Sequence, residues 1–180
     1  MKRLALLLFL AGSTLFVSCG DDDDAVEINE SLIPGEWNLT EIRSENGKAS
    51  TTIEGVPVSG DYSISGKDYT ATVTFAEATA ENEPNTVTGS GGFTLVASVT
   101  IPTQDPIEVE QNIPEFIGAG EWSVSGNTLT VTVQNETTSY EITSLTEQSM
   151  TLKIVIDEER TIENLTVAVT GDQFIVLTKQ

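Results

Sequence analysis

Histidine is absent from this chain, and cysteine occurs once, at Cys19. Without an imidazole base the chain cannot build a Ser-His-Asp or Cys-His nucleophile system. Zinc sites made of histidine and cysteine are excluded as well, because one thiolate cannot supply their ligands. An intrachain disulfide needs a second cysteine. Paired carboxylates could still act as acid and base, and we expect neither a metal nor a cofactor.

Basic residues are also scarce. The 180 residues include 8 Lys and Arg against 28 Asp and Glu, and the formal net charge is −20. Proteins that bind nucleic acid by its phosphates are basic, so nucleic acid is not an expected partner. Peripheral binding to anionic lipid is disfavoured for the same reason. Such an excess of acidic residues favours solubility and makes neighbouring copies of the protein repel each other.

The first eighteen residues have the layout of a secretory signal peptide. Lys2 and Arg3 are followed by an apolar run over 4–17 and by a small residue, Ser18. The run is shorter than the roughly 20 residues that span a bilayer. A charged start, a short apolar stretch and a small residue are typical of an export signal that is removed. We predict cleavage before Cys19.

Phe16-Val17-Ser18-Cys19 resembles a lipobox, the motif that lipoprotein signal peptidase recognises. The resemblance implies that Cys19 carries lipid and anchors the chain to a membrane, since acyl chains together give stable anchoring. An ordinary signal peptide that leaves a free thiol is the alternative. Removal of residues 1–18 takes away two basic residues and no acid, and it leaves a net charge of −22.

Gly20 and four consecutive acids follow the cysteine. A block of like charges stays solvated and extended, so we predict a flexible tether over 19–30. A cysteine followed by an acidic run resembles the surface-export signal of lipoproteins in the Bacteroidota, which implies an outer-membrane location exposed at the cell surface. A bare spacer is the alternative. The four predicted export residues are Asp21, Asp22, Asp23 and Asp24.

The remainder, 31–180, is predicted to be one all-β domain. The chain contains 25 Thr, 16 Val and 14 Ile, and β-branched residues favour strands. Apolar residues alternate with polar ones in several segments, which is typical of half-buried antiparallel strands, and we expect about eight to ten of them. The clearest apolar rows are Tyr69-Ala71-Val73-Phe75, Phe93-Leu95-Ala97-Val99-Ile101, Leu129-Val131-Val133, Met150-Leu152-Ile154-Ile156 and Leu165-Val167-Val169.

Three dipeptides that begin with glycine are predicted to be two-residue hairpin turns, since a type II′ turn needs glycine first. In each case pairing outward from the turn sets apolar residues opposite apolar ones. Prolines interrupt 102–120, which predicts an edge strand, a loop or a lid, with a short helix over 113–117. The three predicted turns are Gly126-Asn127, Gly66-Lys67 and Gly171-Asp172.

Gly35-Glu36-Trp37 opens the first strand and resembles the Gly-x-Trp motif of lipocalins. Together with Cys19 and the acidic tether, it makes the chain similar to the lipocalin-like lipoproteins of the Bacteroidota. The resemblance implies an antiparallel meander closed into a barrel, with Trp37 packed across its closed end and a late arginine, for which Arg160 is the candidate, against that ring. A two-sheet β-sandwich is the alternative fold.

Two kinds of side chain are candidates for a site. Aromatic residues at alternating strand positions would line an apolar cavity or, as we expect by default, pack in the core. Acids at 81–83, 108–110 and 157–159 would serve as paired carboxylates only if they were buried. The aromatic candidates are Trp37, Trp122, Tyr62, Tyr69 and Tyr140.

We therefore expect a lipid-anchored, non-enzymatic protein whose barrel encloses a small apolar ligand. The residues that contact the ligand, its identity and any protein partner are not defined by the sequence. Two alternatives stay open. One is a cell-surface β-sandwich for adhesion or glycan binding, and the other is a structural partner in an envelope complex, which a large exposed apolar patch would favour.

Overall fold

The computed structural model describes residues 28–53, 55–101, 105–162 and 165–180. Within these ranges it is an all-β structure with one 3-10 helix, Glu30–Leu32. Eleven antiparallel strands follow in chain order: β1 Gly35–Ile53, β2 Val56–Lys67, β3 Thr72–Ala76, β4 Asn85–Ser90, β5 Phe93–Thr100, β6 Ile107–Ile113, β7 Gly120–Ser125, β8 Thr128–Val133, β9 Glu136–Leu145, β10 Ser149–Ile162 and β11 Leu165–Lys179.

Eight of these strands form a closed antiparallel barrel. The ring runs β1, β3, β4, β7, β8, β9, β10 and β11, and it closes because β11 pairs back with β1. The predicted barrel is therefore confirmed, and a two-sheet sandwich is excluded. The strands carry the alternation that the sequence showed, since Ala71, Val73 and Phe75 are buried in and before β3.

β2, β5 and β6 lie outside the ring and extend one side of it. β11 occupies one edge of β1, while the other edge pairs first with β3 and then, further along, with β2. β2 pairs with β5 outside the ring, just as β3 pairs with β4 within it. β6 then pairs with the other edge of β5. Together β10, β11, β1, β2, β5 and β6 form what we call the tall wall. It is much taller than the side of the barrel made by β8 and β9.

β1 pairs with β3 at its start and with β2 further along. Between these two regions, side-chain oxygens accept hydrogen bonds from backbone N–H groups. The N–H of Ile42 donates to the hydroxyl oxygen of Tyr69 at 2.8 Å. The N–H of Ile64 donates to Ser44 Oγ at 2.7 Å. Backbone N–H groups that are removed from water need such partners. The two hydrogen bonds hold the tall wall in line with the barrel below it.

One predicted hairpin is confirmed and two are wrong. Gly126-Asn127 joins β7 to β8, and Val124 pairs with Leu129 as predicted. Gly66-Lys67 instead ends β2, and Gly171-Asp172 lies inside β11, which continues straight through. The predicted pairs of Ile64 with Tyr69 and of Val169 with Phe174 do not form, because β2 pairs with β5 and β11 pairs with β10 and β1.

Both misread glycines allow a close approach rather than a turn. A Cβ at Gly66 would lie 2.3 Å from the Tyr69 hydroxyl oxygen, and one at Gly171 would lie 2.8 Å from the Cα of Gly47. Gly171 also has φ +147°. Glycine inside a strand commonly marks such an approach or a bulge, and β1 shifts register between Glu45 and Lys48, beside this position.

The proline-rich region contains an edge strand, as one of the alternatives predicted. β6 ends the sheet order, so 107–113 forms that edge. The helix predicted over 113–117 is wrong, because Ile113 ends β6 and the following residues are irregular. Pro114 lacks a backbone N–H and ends the strand there.

Candidate functional site

The closed end of the barrel is sealed by its own N-terminal residues. Ile33 and Trp37 are both fully buried, and Trp37 Nε1 donates to the Ile33 carbonyl at 2.8 Å. Lys179 Nζ lies 5.0 Å from the centroid of the Trp37 ring. Ile28 packs against the same core. Trp37 therefore closes this end, as the resemblance to lipocalins implied.

The cation beside Trp37 is Lys179, so the expectation that Arg160 would fill this position is wrong. The backbone register explains the difference. Arg160 pairs with Val167 at the start of β11, whereas Lys179 at the end of β11 pairs with Trp37. The two ends of this strand lie about 40 Å apart at roughly 3.3 Å per residue.

The open end of the barrel continues into an apolar face on the tall wall. Directly opposite residues in an antiparallel pair share a face, so the register identifies which side chains point inward. These inward side chains form what we call the apolar wall, and it extends the rows that fill the barrel core. The apolar wall comprises Ile154, Ile156, Val167, Val169, Ala49, Val56, Val58, Ala97, Val99, Ile107 and Val109.

The upper part of the apolar wall is uncovered. Val56 is 62% exposed, Ile107 56% and Val109 58%. Lower on the same wall, Leu95 is 4% exposed and Ile64 2%, since the barrel covers them. Scattered exposed apolar residues are ordinary, but a contiguous apolar surface marks a binding site. The arrangement therefore offers an open, apolar surface above a packed core.

The outer face of the same wall carries the charged side chains, although it also includes Val155, which is 67% exposed. Lys48 pairs with Asp61, and Lys67 Nζ lies 2.6 Å from Glu110 Oε1. Arg43 packs over the Phe174 ring at 4.6 Å from its centroid. These contacts lie on strands whose inward residues are apolar. The wall thus has one solvated face and one face suited to an apolar ligand.

A few polar groups also point inward. By register they are Thr51 on β1, Tyr62 on β2, Gln111 on β6 and Glu158 on β10. Tyr140 points inward from β9, and burial raises the pKa of its phenol. Apolar ligand sites usually contain a small number of such groups, which orient the ligand.

The aromatic candidates pack as core residues. Trp37 and Trp122 are buried, and Tyr62, Tyr69 and Tyr140 are partly buried against the same cluster. Trp122 meets the Phe75 ring edge-on at 5.7 Å between centroids. Within the described ranges, the large apolar side chains that stand exposed are valines and an isoleucine, with no aromatic row among them.

The acidic candidates are spread over the surface. Glu81 and Glu83 lie in the turn after β3, Glu108 and Glu110 lie on β6, and Asp157 lies on β10, all of them exposed. No charged side chain is buried in the part of the chain that the structure describes. That part also contains no cluster of acids able to hold a metal ion. The described carboxylates thus form no enclosed acid-base pair.

Cys19 and Asp21 to Asp24 lie outside the described residues. Among the residues that are described, there is no helix long and apolar enough to cross a membrane. No protein-family model, no curated protein and no solved structure matches this chain. The apolar wall was not singled out from the sequence, although the alternating rows that form it were. The sequence did not show that β6 pairs with β5 and forms an open edge of the sheet.

Proposed function

We propose that this chain is an outer-membrane lipoprotein whose lipocalin-like barrel holds a small apolar ligand without catalysing a reaction. The observation that carries the proposal is the uncovered apolar wall, with Val56, Ile107 and Val109 more than half exposed. The likeness to lipocalin-like lipoproteins of the Bacteroidota is part of the same proposal. In this mechanism the apolar ligand is stabilised by removal from water.

The free energy gained by burial of apolar surface is large enough to give binding. Burial of apolar surface contributes about 25 cal/mol per Å², so a ligand that covers roughly 300 Å² of the wall gains about 7 kcal/mol. Association opposes this gain with at least about 4 kcal/mol of lost translational and rotational freedom. Inward polar groups such as Tyr62 and Gln111 would then select the orientation of the ligand.

The first described residues and the apolar wall lie at opposite ends of β1. Lipid on Cys19 and surface export through Asp21 to Asp24 are both part of the proposal. Ile28 packs at the closed end, and the apolar wall lies at the opposite end of β1. Nineteen residues of strand span about 60 Å at roughly 3.3 Å each.

A structural partner in an envelope complex is the second candidate. The same exposed residues, Val56, Ile107 and Val109, favour it, because a contiguous apolar surface also suits a protein partner. In that case the wall would be covered permanently by another chain. A small ligand and a protein partner predict different masses for the native species.

Native mass spectrometry tests the proposal. Residues 25–180 are expressed in the source bacterium without the lipid anchor and measured before and after organic extraction. We expect a discrete adduct of small-molecule mass that disappears on extraction. A bare mass in both samples would contradict the carrier function, and a stoichiometric protein adduct would support the second candidate instead.

A further inference from the structure

β6 leaves a row of backbone groups available at the end of the sheet. It ends the strand order, and among the described residues it pairs with β5 alone, from Phe93 opposite Ile113 to Val99 opposite Ile107. An edge strand presents N–H and C=O groups that can pair with another chain. The edge is seven residues long, which is enough for a short added strand.

The two rows of side chains on β6 differ in chemistry. The inward row contains Ile107 and Val109, which are 56% and 58% exposed. The outward row contains Glu108 and Glu110, also exposed, with Lys67 paired to the second of them. Edges that are protected against pairing commonly have charged residues pointing inward. Here the inward row is Ile107, Val109, Gln111 and Ile113, which has no charged residue, so the edge stays open to a suitable strand.

We propose that the edge of β6 accepts an extended segment of a partner protein in which apolar and basic residues alternate. Such a segment would hydrogen-bond to β6 and add a strand to the sheet. Its apolar side chains would lie beside Ile107 and Val109 and would widen the apolar wall. Its basic side chains would lie beside Glu108 and Glu110, where opposite charges on adjacent strands are stabilising.

A second copy of this chain does not fit the same edge. In the antiparallel register centred on Val109, two β6 edges would bring Glu108 of each copy opposite Glu110 of the other, and like charges directly opposite are destabilising. Each chain also has a net charge of −20. The outward glutamates therefore repel self-pairing while they attract a basic strand. Backbone pairing with β6 does not require a ligand on the apolar wall, although the added strand would contact Ile107 and Val109 of that wall.

Labelled peptides test the proposal on the full chain, purified in a non-ionic detergent. The probe is a blocked nine-residue peptide that alternates valine and lysine, and its binding is followed by fluorescence anisotropy. Two peptides of the same composition serve as controls: one groups its lysines at one end, and the other alternates but is N-methylated at every second residue. We expect both controls to bind at least about tenfold more weakly, because alternation and backbone pairing give the affinity.

Two charge variants separate edge binding from general attraction to an acidic protein. Glu108→Lys should weaken binding of the alternating valine-lysine peptide at least about fivefold, by loss of the cross-strand pair and by repulsion. Glu136→Lys makes the same change at an exposed residue of β9 and should leave binding within about twofold. Equal effects of the two variants, equal binding of the control peptides, or no binding of the alternating peptide would each overturn the proposal.

Discussion

Lys179 and Trp37 join the last strand of the barrel to the first at its closed end. Lys179 Nζ lies 5.0 Å from the centroid of the indole ring and donates a hydrogen bond to the Leu32 carbonyl at 2.8 Å. A cation over an aromatic face is stabilising, and more so where water is partly excluded. One side chain thus links β11, the ring of Trp37 and the helix that seals the barrel.

Lys179→Met tests this link, because methionine keeps most of the aliphatic stem and removes the charge and the donor. We expect the free energy of unfolding to fall by about 1–2 kcal/mol from the lost cation-π contact and hydrogen bond. Lys48→Met is the control: its pair with Asp61 is exposed, so the loss should stay below about 1 kcal/mol. Urea denaturation measures both. Equal losses would show that Lys179 has no special role.

Gly171 predicts a second difference in stability. A Cβ at this position would lie 2.8 Å from the Cα of Gly47, and φ is +147°. Gly171→Ala should therefore lower the free energy of unfolding by about 2 kcal/mol or more. At Gly55, φ is also positive at +82°, but nothing lies within 4 Å of a Cβ. Gly55→Ala should cost about 1 kcal/mol, and an equal or larger loss there would contradict the close-approach explanation.

Two nearly identical segments show how far the sequence predicts this fold. Tyr62-Ser63-Ile64-Ser65-Gly66 and Trp122-Ser123-Val124-Ser125-Gly126 suggest the same hairpin. Gly126 adopts φ +60° and turns the chain, whereas Gly66 lies in β2, which ends at Lys67, and the chain then passes through a bend with Asp68 at φ +55°. Local pattern identified both strands and their buried faces. The turn depends on which strand lies alongside, and that is a long-range property.

The candidate site also depends on long-range strand pairing, which the local sequence pattern does not show. The alternation of Ala97 and Val99 with polar neighbours predicted an apolar face on β5, and this was correct. Whether that face would be covered depends on which strands pack against it, and that is set by the long-range pairing of the strands. The sealing cation, Lys179, was also missed, because its partner Trp37 is 142 residues away in the chain.

Tyr140 predicts a pH dependence of stability. Burial raises the pKa of its phenol, while a hydrogen bond with the Thr138 side chain lowers it in part. The unfolded phenol loses its proton at about pH 10, where the folded one still holds it, so the free energy of unfolding falls as the pH rises through the folded pKa. Below about pH 10 the contribution is fully present.

Tyr140→Phe removes this titration. The free energy of unfolding of the wild type should fall more steeply above about pH 10 than that of the variant, and the two should run parallel below it. Urea denaturation at a series of pH values measures both slopes. Parallel slopes over the whole range would show that the folded and unfolded phenols titrate alike. Tyr69 is retained in both chains, so its own raised pKa cancels in the comparison.

Lipid anchoring at Cys19 is tested separately from the barrel. Cys19→Ala should abolish labelling by a fatty-acid probe and release the protein from membranes, because the acyl chains provide the anchor. Ser13→Ala, a neutral change in the apolar run, is the control and should be labelled normally. A Cys19→Ala chain that is still labelled and still sediments with membranes would contradict the lipoprotein assignment.

The acidic run is tested with the anchor intact. Replacement of Asp21 to Asp24 by asparagine removes the charge and keeps the size of the side chains. If these residues form the export signal, the protein should remain lipidated but lose its sensitivity to protease added outside intact cells. Unchanged sensitivity would show that the run is a spacer.

Two residues on β5 test whether the inward face of the tall wall binds an apolar ligand. Val99 points inward and Val96 points outward, and both are half-buried. The measurement is a fluorescence titration with a neutral apolar dye such as Nile red on the wild type, Val99→Gln and Val96→Gln. We expect at least about fivefold weaker binding for Val99→Gln, since a buried polar amide opposes an apolar ligand, and unchanged binding for Val96→Gln. Equal affinity in all three chains, or no dye binding by the wild type, would contradict it.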